Sequence, residues 1–427
     1  VISLLPPLPL CLPPLSLAAP TTSYQQGSRH TCTSSWSHRH RRLQMPTMEA
    51  LKQIQDECLA DDVALPPDAT DWTEEEARAY FESGGAVRPR EVATSGSVAE
   101  DYRMVRWAVD TATWDPTDAE WKTLLDTLPE EDSTRVMKFH FRDDQKRAIV
   151  SRLLQRSACA GFLSCSHSDV TIHRTKGRKP YLANGHDGLD GACGEAATRR
   201  LEEAPNWNFN VSHEGNYVIL ASEPSMLCGV DVAAPGQLRR QRNQGLEDLF
   251  DVMKDNFTAR EWAQVRAAGP SEKSMEMIFR KLWSLKEAFT KARGDGLGFP
   301  FKRCEFTLGG SHPLATARIG ALACGAGTDQ YGGTGVQTAS VAVDGVIQPE
   351  WKFYIQPLAD DHWVSVARGP PSDAVDAHGG FKSTFKKPNL SPAEIRQGHD
   401  AAEPPFVCKR IADLVSEQVA AKLSASY

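Results

Sequence analysis

Three side chains in the stretch RKLWSLKEAFTKARGDGLGF, namely Trp283, Glu287 and Lys291, recur at i, i+4 and i+8, so a helix there lines them up along one side. Met275, Ile278, Leu282, Leu285 and Phe289 fall on roughly the opposite side, as a core-facing stripe does. On spacing alone, Glu287 and Lys291 could be a solvated pair contributing only about 0.2–0.5 kcal/mol. Other stretches open a chemical reading. Asp231 sits in CGVDVAA between Val230 and Val232, where burying a carboxylate is costly unless a cation or hydrogen-bond donors compensate it. FNVSHEG brings Asn210, Ser212 and His213 to a turn, RTKGRKP carries Arg174, Lys176, Arg178 and Lys179, and EEDSTRVMKFHFRDDQKR puts Arg135 ahead of a helix start. Cations with hydroxyl and imidazole donors suit a ligand with several phosphates. Two carboxylates from distant parts of the chain suit Mg2+, which takes one or two protein carboxylates and completes its shell with phosphate oxygens and water.

These residues need elements to position them. The alternation of Val105, Trp107 and Val109 predicts a half-buried strand, and Asp143 or Asp144 caps a helix with Ile149, Leu153 and Leu154 at helical spacing. DVTIHRTKGRKPYL starts as a strand and runs into a basic loop, and NWNFNVSHEGNYVILASEP and LCGVDVAA read as strands separated by a turn. NFTAREWAQVRAAG is helical, with Gly294 expected to end the long helix after it. FKRCEFTL, TASVAVDG, WKFYIQPL and HWVSVARG read as strands, the first two separated by a glycine-rich loop. Helices followed by strands thus occur twice, which predicts an α+β fold of two similar halves rather than a Rossmann fold. GDGLG does not follow a strand and so is no dinucleotide fingerprint.

The 427 residues carry a net charge of −7, against the basic excess of a general nucleic-acid binder. The apolar opening VISLLPPLPLCLPPLSLAAP is proline-rich and too short for a membrane span, so no membrane association is expected. The Ser- and Arg-rich segment after it reads as a transit segment or as sequence upstream of a start at Met45 or Met48. The opening lacks the positively charged n-region of a signal peptide, so the cytoplasm is expected, and the Arg- and Ser-rich segment makes an organelle the alternative. A capping box at Thr73 and Glu76 predicts a short helix in the acidic stretch that follows. Ten cysteines without a CxxC pair read as mostly reduced thiols, and Cys159, Cys165 and His167 lack the second ligand pair of a zinc site. Residues 1–100 are expected to be a mostly disordered extension, 101–228 and 229–369 the two halves, and 370–427 a flexible link with a terminal helix. That helix follows from a stripe of Val407, Ile411, Leu414, Val415, Val419 and Leu423.

The ordered set GVDV, FTAREWAQV, WSLKEAFTKARGDGLGF, FNVSHEG and RTKGRKPYL resembles the motifs of 4′-phosphopantetheinyl transferases, specifically the long, two-lobed Sfp-like class. The resemblance covers roughly residues 103–368. It implies a pseudo-dimer of two α+β halves, each an antiparallel sheet packed with helices, with the active site in the cleft between them. It implies coenzyme A as donor and the serine of an acyl carrier protein as acceptor, or of a carrier domain in a fatty acid synthase, polyketide synthase, peptide synthetase or aminoadipate reductase. Carried over residue by residue, Asp231 and Glu287 would hold Mg2+, with Mn2+ as a substitute, and Lys291 would contact the pyrophosphate. Glu287 is the candidate base. Arg135, the run Arg174, Thr175, Lys176, Gly177, Arg178 and Lys179, and the run Asn210, Val211, Ser212 and His213 would hold the nucleotide end, with His213 near the 3′-phosphate.

Two departures stand out. Many members carry a third carboxylate two residues after the aspartate, where this chain has Ala233. The basic motif also has Arg178 interposed before Lys179. Arg239, Arg240 and Arg242 could steer an acidic carrier or be a solvated loop, and Asp360 and Asp361 before His362 read as a turn. Both halves of the site lie in one chain, so a monomer suffices. The alternatives are a protein that binds coenzyme A or a carrier without turnover, and a Mg2+-dependent phosphohydrolase using the same acidic pair.

Overall fold

Each half of the chain repeats one plan: a strand, two short helices, a helix of 22 residues, and antiparallel strands. The computed structural model describes residues 101–183, 194–235, 245–313, 335–359 and 361–423, all within one compact unit. The N-terminal extension, with its Thr73 capping box, lies outside the described residues, as do Arg239, Arg240, Arg242 and Asp360.

The first lobe runs β1 (Arg106–Asp110), α1 (Asp118–Asp126), α2 (Glu130–Met137), α3 (Arg142–Leu163), the hairpin β2 (Ile172–Arg174) and β3 (Pro180–Leu182), α4 (Gly194–Glu203), β4 (Asn208–Glu214) and β5 (Tyr217–Glu223). The second runs β6 (Leu227–Ala233), α5 (Leu246–Met253), α6 (Ala259–Ala267), α7 (Glu272–Arg293), β7 (Cys304–Pro313), β8 (Gly335–Val343), β9 (Val346–Ile347), β10 (Lys352–Leu358) and β11 (His362–Gly369). The chain then forms α8 (Pro392–Asp400), β12 (Val407–Cys408) and α9 (Glu417–Ala420).

Local chemistry starts and stops these helices. Thr117 with Glu120 and Thr258 with Glu261 form capping boxes at α1 and α6, and Gly294, at φ 89°, closes α7 in the left-handed conformation. The expected cap of α3 differs: the helix starts at Arg142, and Asp143 and Asp144 sit in its first turn, where carboxylates complement the helix dipole.

The first lobe's sheet has the order β12-β1-β5-β4 and the second's β6-β11-β10-β8-β7. NWNFNVSHEGNYVILASEP is not one strand but the hairpin of β4 and β5, and the change of sheet falls at residues 224–226 rather than after 228. Among the described residues three apolar clusters fill the space. Val218 and Leu220 of β5 join Ile149, Leu153 and Phe162 of α3, while Phe353 and Ile355 of β10 join Leu282, Leu285 and Phe289 of α7. Ala108, Ile219 and Ala221 from the first sheet meet Val230, Val364 and Val366 from the second. The two sheets therefore share a core between them, with α3 and α7 on their outer sides.

The segment expected to be a flexible link is folded. Phe381 and Phe385 are buried in the second lobe's core, and the apolar stripe docks on the first lobe's core. It does so as β12, a 3₁₀ turn at Ile411–Leu414 and α9, not as one helix. Helical spacing lost to tertiary pairing, because β12 finds the free edge of β1 and pairs with it in parallel. Within this segment Glu403 closes a buried ring of ion pairs. Arg106 and Arg368 each pair with both Glu223 and Glu403, at 2.6 Å for Arg106 to Glu403, 2.8 Å for Arg368 to Glu223 and 2.6 Å for Arg368 to Glu403. The ring ties β1 and β5 to β11 across the lobes.

Removing one member of such a ring leaves charges buried and unpaired. Glu403→Ala should lower the unfolding free energy by about 3–5 kcal/mol in urea titrations. Lys387→Ala, which breaks the surface Lys387–Glu394 pair and leaves the Ser391–Glu394 cap in place, should leave the urea midpoint almost unchanged.

Candidate active site

Strands and helix from both lobes converge on Asp231. Its Oδ1 accepts hydrogen bonds from Ser212 Oγ of β4 at 2.8 Å and from Lys291 Nζ of α7 at 2.5 Å. The same ammonium reaches Ser212 Oγ at 2.8 Å, and Ser284 Oγ donates to the Asp231 main-chain oxygen at 3.2 Å. Close approach of β6 to α7 makes this possible. A Cβ at Gly229 would lie 2.0 Å from the Ala288 carbonyl oxygen, so only glycine lets the strand lie this near the helix.

The polar side of α7 is not solvated. Glu287 is 5% exposed, and the helix is buried around its whole circumference from Phe279 to Thr290. The stripe that faces the site is Arg280, Ser284, Glu287 and Lys291, at spacings of 4, 3 and 4. Trp283 does not share it, because its ring packs against Phe257 and Phe301 in the second lobe's core. Three participants escaped the sequence reading: Ser284, Arg280 and Glu214. Glu214, two residues beyond Ser212 on β4, accepts from Arg280 Nη1 at 3.3 Å and from the Ala234 amide at 3.3 Å. Strand parity with Ser212 and helical spacing with Ser284 were the available signals for Glu214 and Arg280.

Burial governs the charges here. It pushes the Glu287 carboxyl up to about 7, opposed by Lys291 and reinforced by the negative charges of Asp231 and Glu214. Burial likewise raises Glu214 to about 7 against the pull of Arg280. For Lys291 burial works against the ammonium, but Asp231 and Glu287 outweigh it and raise its pKa. Among the described residues no donor hydrogen-bonds the Glu287 carboxylate.

The cationic motifs divide. Arg135 and Arg174 line a cavity of about 310 Å³ in the first lobe with Arg152, Arg156 and Asp132. Arg135 pairs with Glu131 at 2.6 Å and Arg152 with Asp132 at 3.2 Å. Arg152 was not singled out in the sequence, since nothing in α3's spacing marks it apart from its neighbours. His213 lies half-buried on the other side of β4 from Ser212, and partial burial together with Lys291, Arg147 and Arg152 holds its imidazole well below its ordinary pKa and therefore neutral.

Thr175 to Arg178 form the β2–β3 turn, with Thr175 N donating to Lys179 O at 2.9 Å and Lys179 N to Thr175 Oγ1 at 3.1 Å. Gly177 packs this turn on the end of α7, where a Cβ would stand 2.8 Å from Gly294 O. Lys176 and Arg178 are exposed. Lys179 and Asn210 are not turned to open space: Lys179 Nζ donates to Cys228 O and Lys291 O, both at 2.9 Å, and Asn210 Oδ1 accepts from Val230 N at 3.0 Å. Val211 is part of the first lobe's core. Cys159, Cys165, Cys228 and Cys304 are free thiols, and no cluster of metal-ligating side chains forms around them among the described residues.

A family model described as 4′-phosphopantetheinyl transferase, N-terminal, matches residues 112–225, and that of the 4′-phosphopantetheinyl transferase superfamily matches residues 227–329. The L-aminoadipate-semialdehyde dehydrogenase-phosphopantetheinyl transferase of Mus musculus is 32% identical over 277 residues, covering 64% of this chain and 77% of its own. The chain belongs to the 4′-phosphopantetheinyl transferase superfamily. The protein of the same name from Homo sapiens is 32% identical over 270 residues, covering 62% of this chain and 75% of its own. The phosphopantetheinyl transferase of Thraustochytrium sp. is 32% identical over 264 residues, covering 61% and 77%. The two matched segments meet between β5 and β6, where the transferase changes sheets, and its activity is the transfer of phosphopantetheine to a carrier protein.

The raised carboxyl of Glu287 makes a pH prediction. The folded transferase keeps a proton there that the unfolded chain, at the ordinary 4.5, releases, so stability is lost as pH rises from about 4.5 to about 7. Glu287→Gln removes that loss. By differential scanning fluorimetry its Tm should exceed the wild type's at pH 8 and approach it at pH 5.

Proposed function

We propose that the transferase takes phosphopantetheine from coenzyme A, with Mg2+ held by Asp231 and Glu287, and delivers it to the serine of a carrier domain. The observation that carries this reading is the convergence of Asp231, Ser212, Glu287 and Lys291 from both lobes on one buried point. The donor set fits the ion. Two buried carboxylates, Asp231 and Glu287, and the half-buried Glu214 share one neighbourhood; burial first, and their mutual repulsion second, raise Glu287 and Glu214 to about 7, and a divalent cation offsets both effects. Among the described residues they form no ready cage of three ligands, which suits a metal that takes one or two protein carboxylates and relies on phosphate oxygens.

When bound, Mg2+ or Mn2+ supplies neutralisation of the charge that builds on the phosphates. The chain's own residues do the rest. The serine hydroxyl attacks the β-phosphorus, a new O–P bond forms, and adenosine 3′,5′-bisphosphate leaves with the electron pair of the broken P–O bond. Glu287, with a carboxyl that titrates near neutrality, takes the serine proton. Lys291, whose ammonium lies beside Asp231, would place its charge against the leaving phosphate. Arg135, Arg152 and Arg174 offer the nucleotide end a cationic cavity.

The names of the mammalian relatives support an aminoadipate-semialdehyde dehydrogenase (aminoadipate reductase) carrier domain as acceptor. Fatty acid synthase, polyketide synthase and peptide synthetase carriers remain to be compared with it in the same assay. A binding protein without turnover is not favoured, since Asp231, Glu287 and Lys291 are all present and meet.

Intact mass of an apo carrier domain incubated with the protein, coenzyme A and Mg2+ should rise by one phosphopantetheine group, and a Ser-to-Ala carrier should stay unchanged. Phosphate products formed without any carrier would turn the reading to hydrolysis. Glu287→Gln should lower kcat by roughly 10²–10⁴-fold, the usual contribution of a positioned base, while coenzyme A still binds. Turnover near the wild type's would remove Glu287 from that role.

A further inference from the structure

Two sheet edges meet inside this protein without joining. β4 ends the first lobe's sheet and β6 ends the second's, and among the described residues no main-chain hydrogen bond links the two strands. An edge strand buried in this way must still satisfy its N–H and C=O groups. Side chains do so. Asn208 Oδ1 accepts from Cys228 N at 2.8 Å while its Nδ2 donates to Met226 O at 2.7 Å. Asn210 Oδ1 accepts from Val230 N at 3.0 Å, one residue before Asp231. On the carbonyl side, Lys179 Nζ bridges Cys228 O and Lys291 O, each at 2.9 Å, and so ties β6 to the turn of α7 that carries the site's lysine.

We propose that Asn210 and Lys179, which the family motifs place among ligand contacts, are positioning residues: they hold β6 against β4 and α7 and thereby set where Asp231 stands relative to Glu287 and Lys291. The inference deepens the proposed transferase chemistry and rests on it. An asparagine suits the task because its amide oxygen reproduces the peptide carbonyl that a neighbouring strand would have offered. Lysine suits the other side because its ammonium has three donors and can satisfy two carbonyls from different elements at once. Both side chains are buried, and Lys179 lies 5.3 Å from the centroid of the Phe381 ring, which helps close it off from solvent.

The test uses the full chain with Asn210→Leu, Asn210→Asp and Lys179→Met. Three quantities are read: amide exchange at Val230, Mn2+ affinity by electron paramagnetic resonance with adenosine 3′,5′-bisphosphate present, and metal-free coenzyme A affinity by calorimetry. Asn210→Leu should speed exchange at Val230 and weaken Mn2+ binding by about 10–100-fold, the usual effect of removing a group that orients a metal ligand. Metal-free coenzyme A affinity should change little. Asn210→Asp keeps an acceptor oxygen and should restore slow exchange at Val230. Should Asn210→Leu fail to fold, Lys179→Met reads the same tie from the α7 side, with the same loss of Mn2+ affinity expected. Unchanged Val230 exchange in a folded Asn210→Leu overturns the proposal, and so does lost coenzyme A affinity with Mn2+ binding intact, which would make these residues direct contacts. Exchange and Mn2+ binding need no turnover, so a wild type that transfers nothing overturns the transferase reading alone.

Discussion

Holding Asp231 out of water is the constraint around which the rest of the architecture is arranged. A buried carboxylate on a strand is tolerated only with donors and a cation close by, and no single element of this fold can provide them. Ser212 comes from the first lobe's β4 and Lys291 from the second lobe's α7, so both lobes must be docked before the charge is compensated. Burial then acts on the neighbours. Glu287 and Glu214, drawn into the same low-dielectric space, are pushed up to about 7, and two groups that would be inert anions in water become proton acceptors poised near neutrality.

Docking the lobes is therefore part of building the site, and the fold secures it in two places. Between the sheets an apolar layer of Ala108, Ile219, Val230, Val364 and others supplies the non-directional part. On the far side, Arg106, Glu223, Arg368 and Glu403 close a ring of ion pairs that draws the C-terminal segment into the interface. A charged ring of this kind adds little net stability over an apolar replacement, but it accepts only one arrangement of its four members. The lobes are thus held in one register, which suits a site whose residues come from both.

Much of this was legible in the residues. The alternating strands, the capping boxes and the left-handed stop at Gly294 depend on neighbours within a few residues, and they stand where local chemistry puts them. Asp231, Glu287 and Lys291 were legible as candidates as well, because a carboxylate amid valines and a helix bearing both charges are odd enough to notice, whereas Ser212 was expected at the nucleotide end and only packing brings its hydroxyl to Asp231 and Lys291. Arg280, Glu214 and Arg152 were not. A glutamate after a histidine at a strand end, or an arginine on a charged helix, looks the same whether it meets solvent or a partner from another lobe. Trp283 erred in the opposite direction, since its place in line with Glu287 said nothing of the aromatic pocket formed by Phe257 and Phe301. The C-terminal stripe had helical spacing, yet a free edge on β1 and the pull of two cores broke it into a strand, a 3₁₀ turn and a short helix.

By itself, then, the sequence determined the α+β class, the twofold repetition of helices and strands and the residue types available at Asp231, Glu287 and Lys291, because these follow from periodicity and from residue types at short spacing, while its ordered motifs carried the resemblance to the family. Only the tertiary structure decided which polar groups face the reaction and which hold the fold together. Lys179 and Asn210 lie in motifs that the resemblance assigned to the ligand, yet their donors and acceptors meet main-chain groups of β6 and α7. The physical reason is that a hydrogen bond is assigned by distance and direction in space, and residues 210 and 230, or 179 and 291, become neighbours only after both sheets and both long helices have packed.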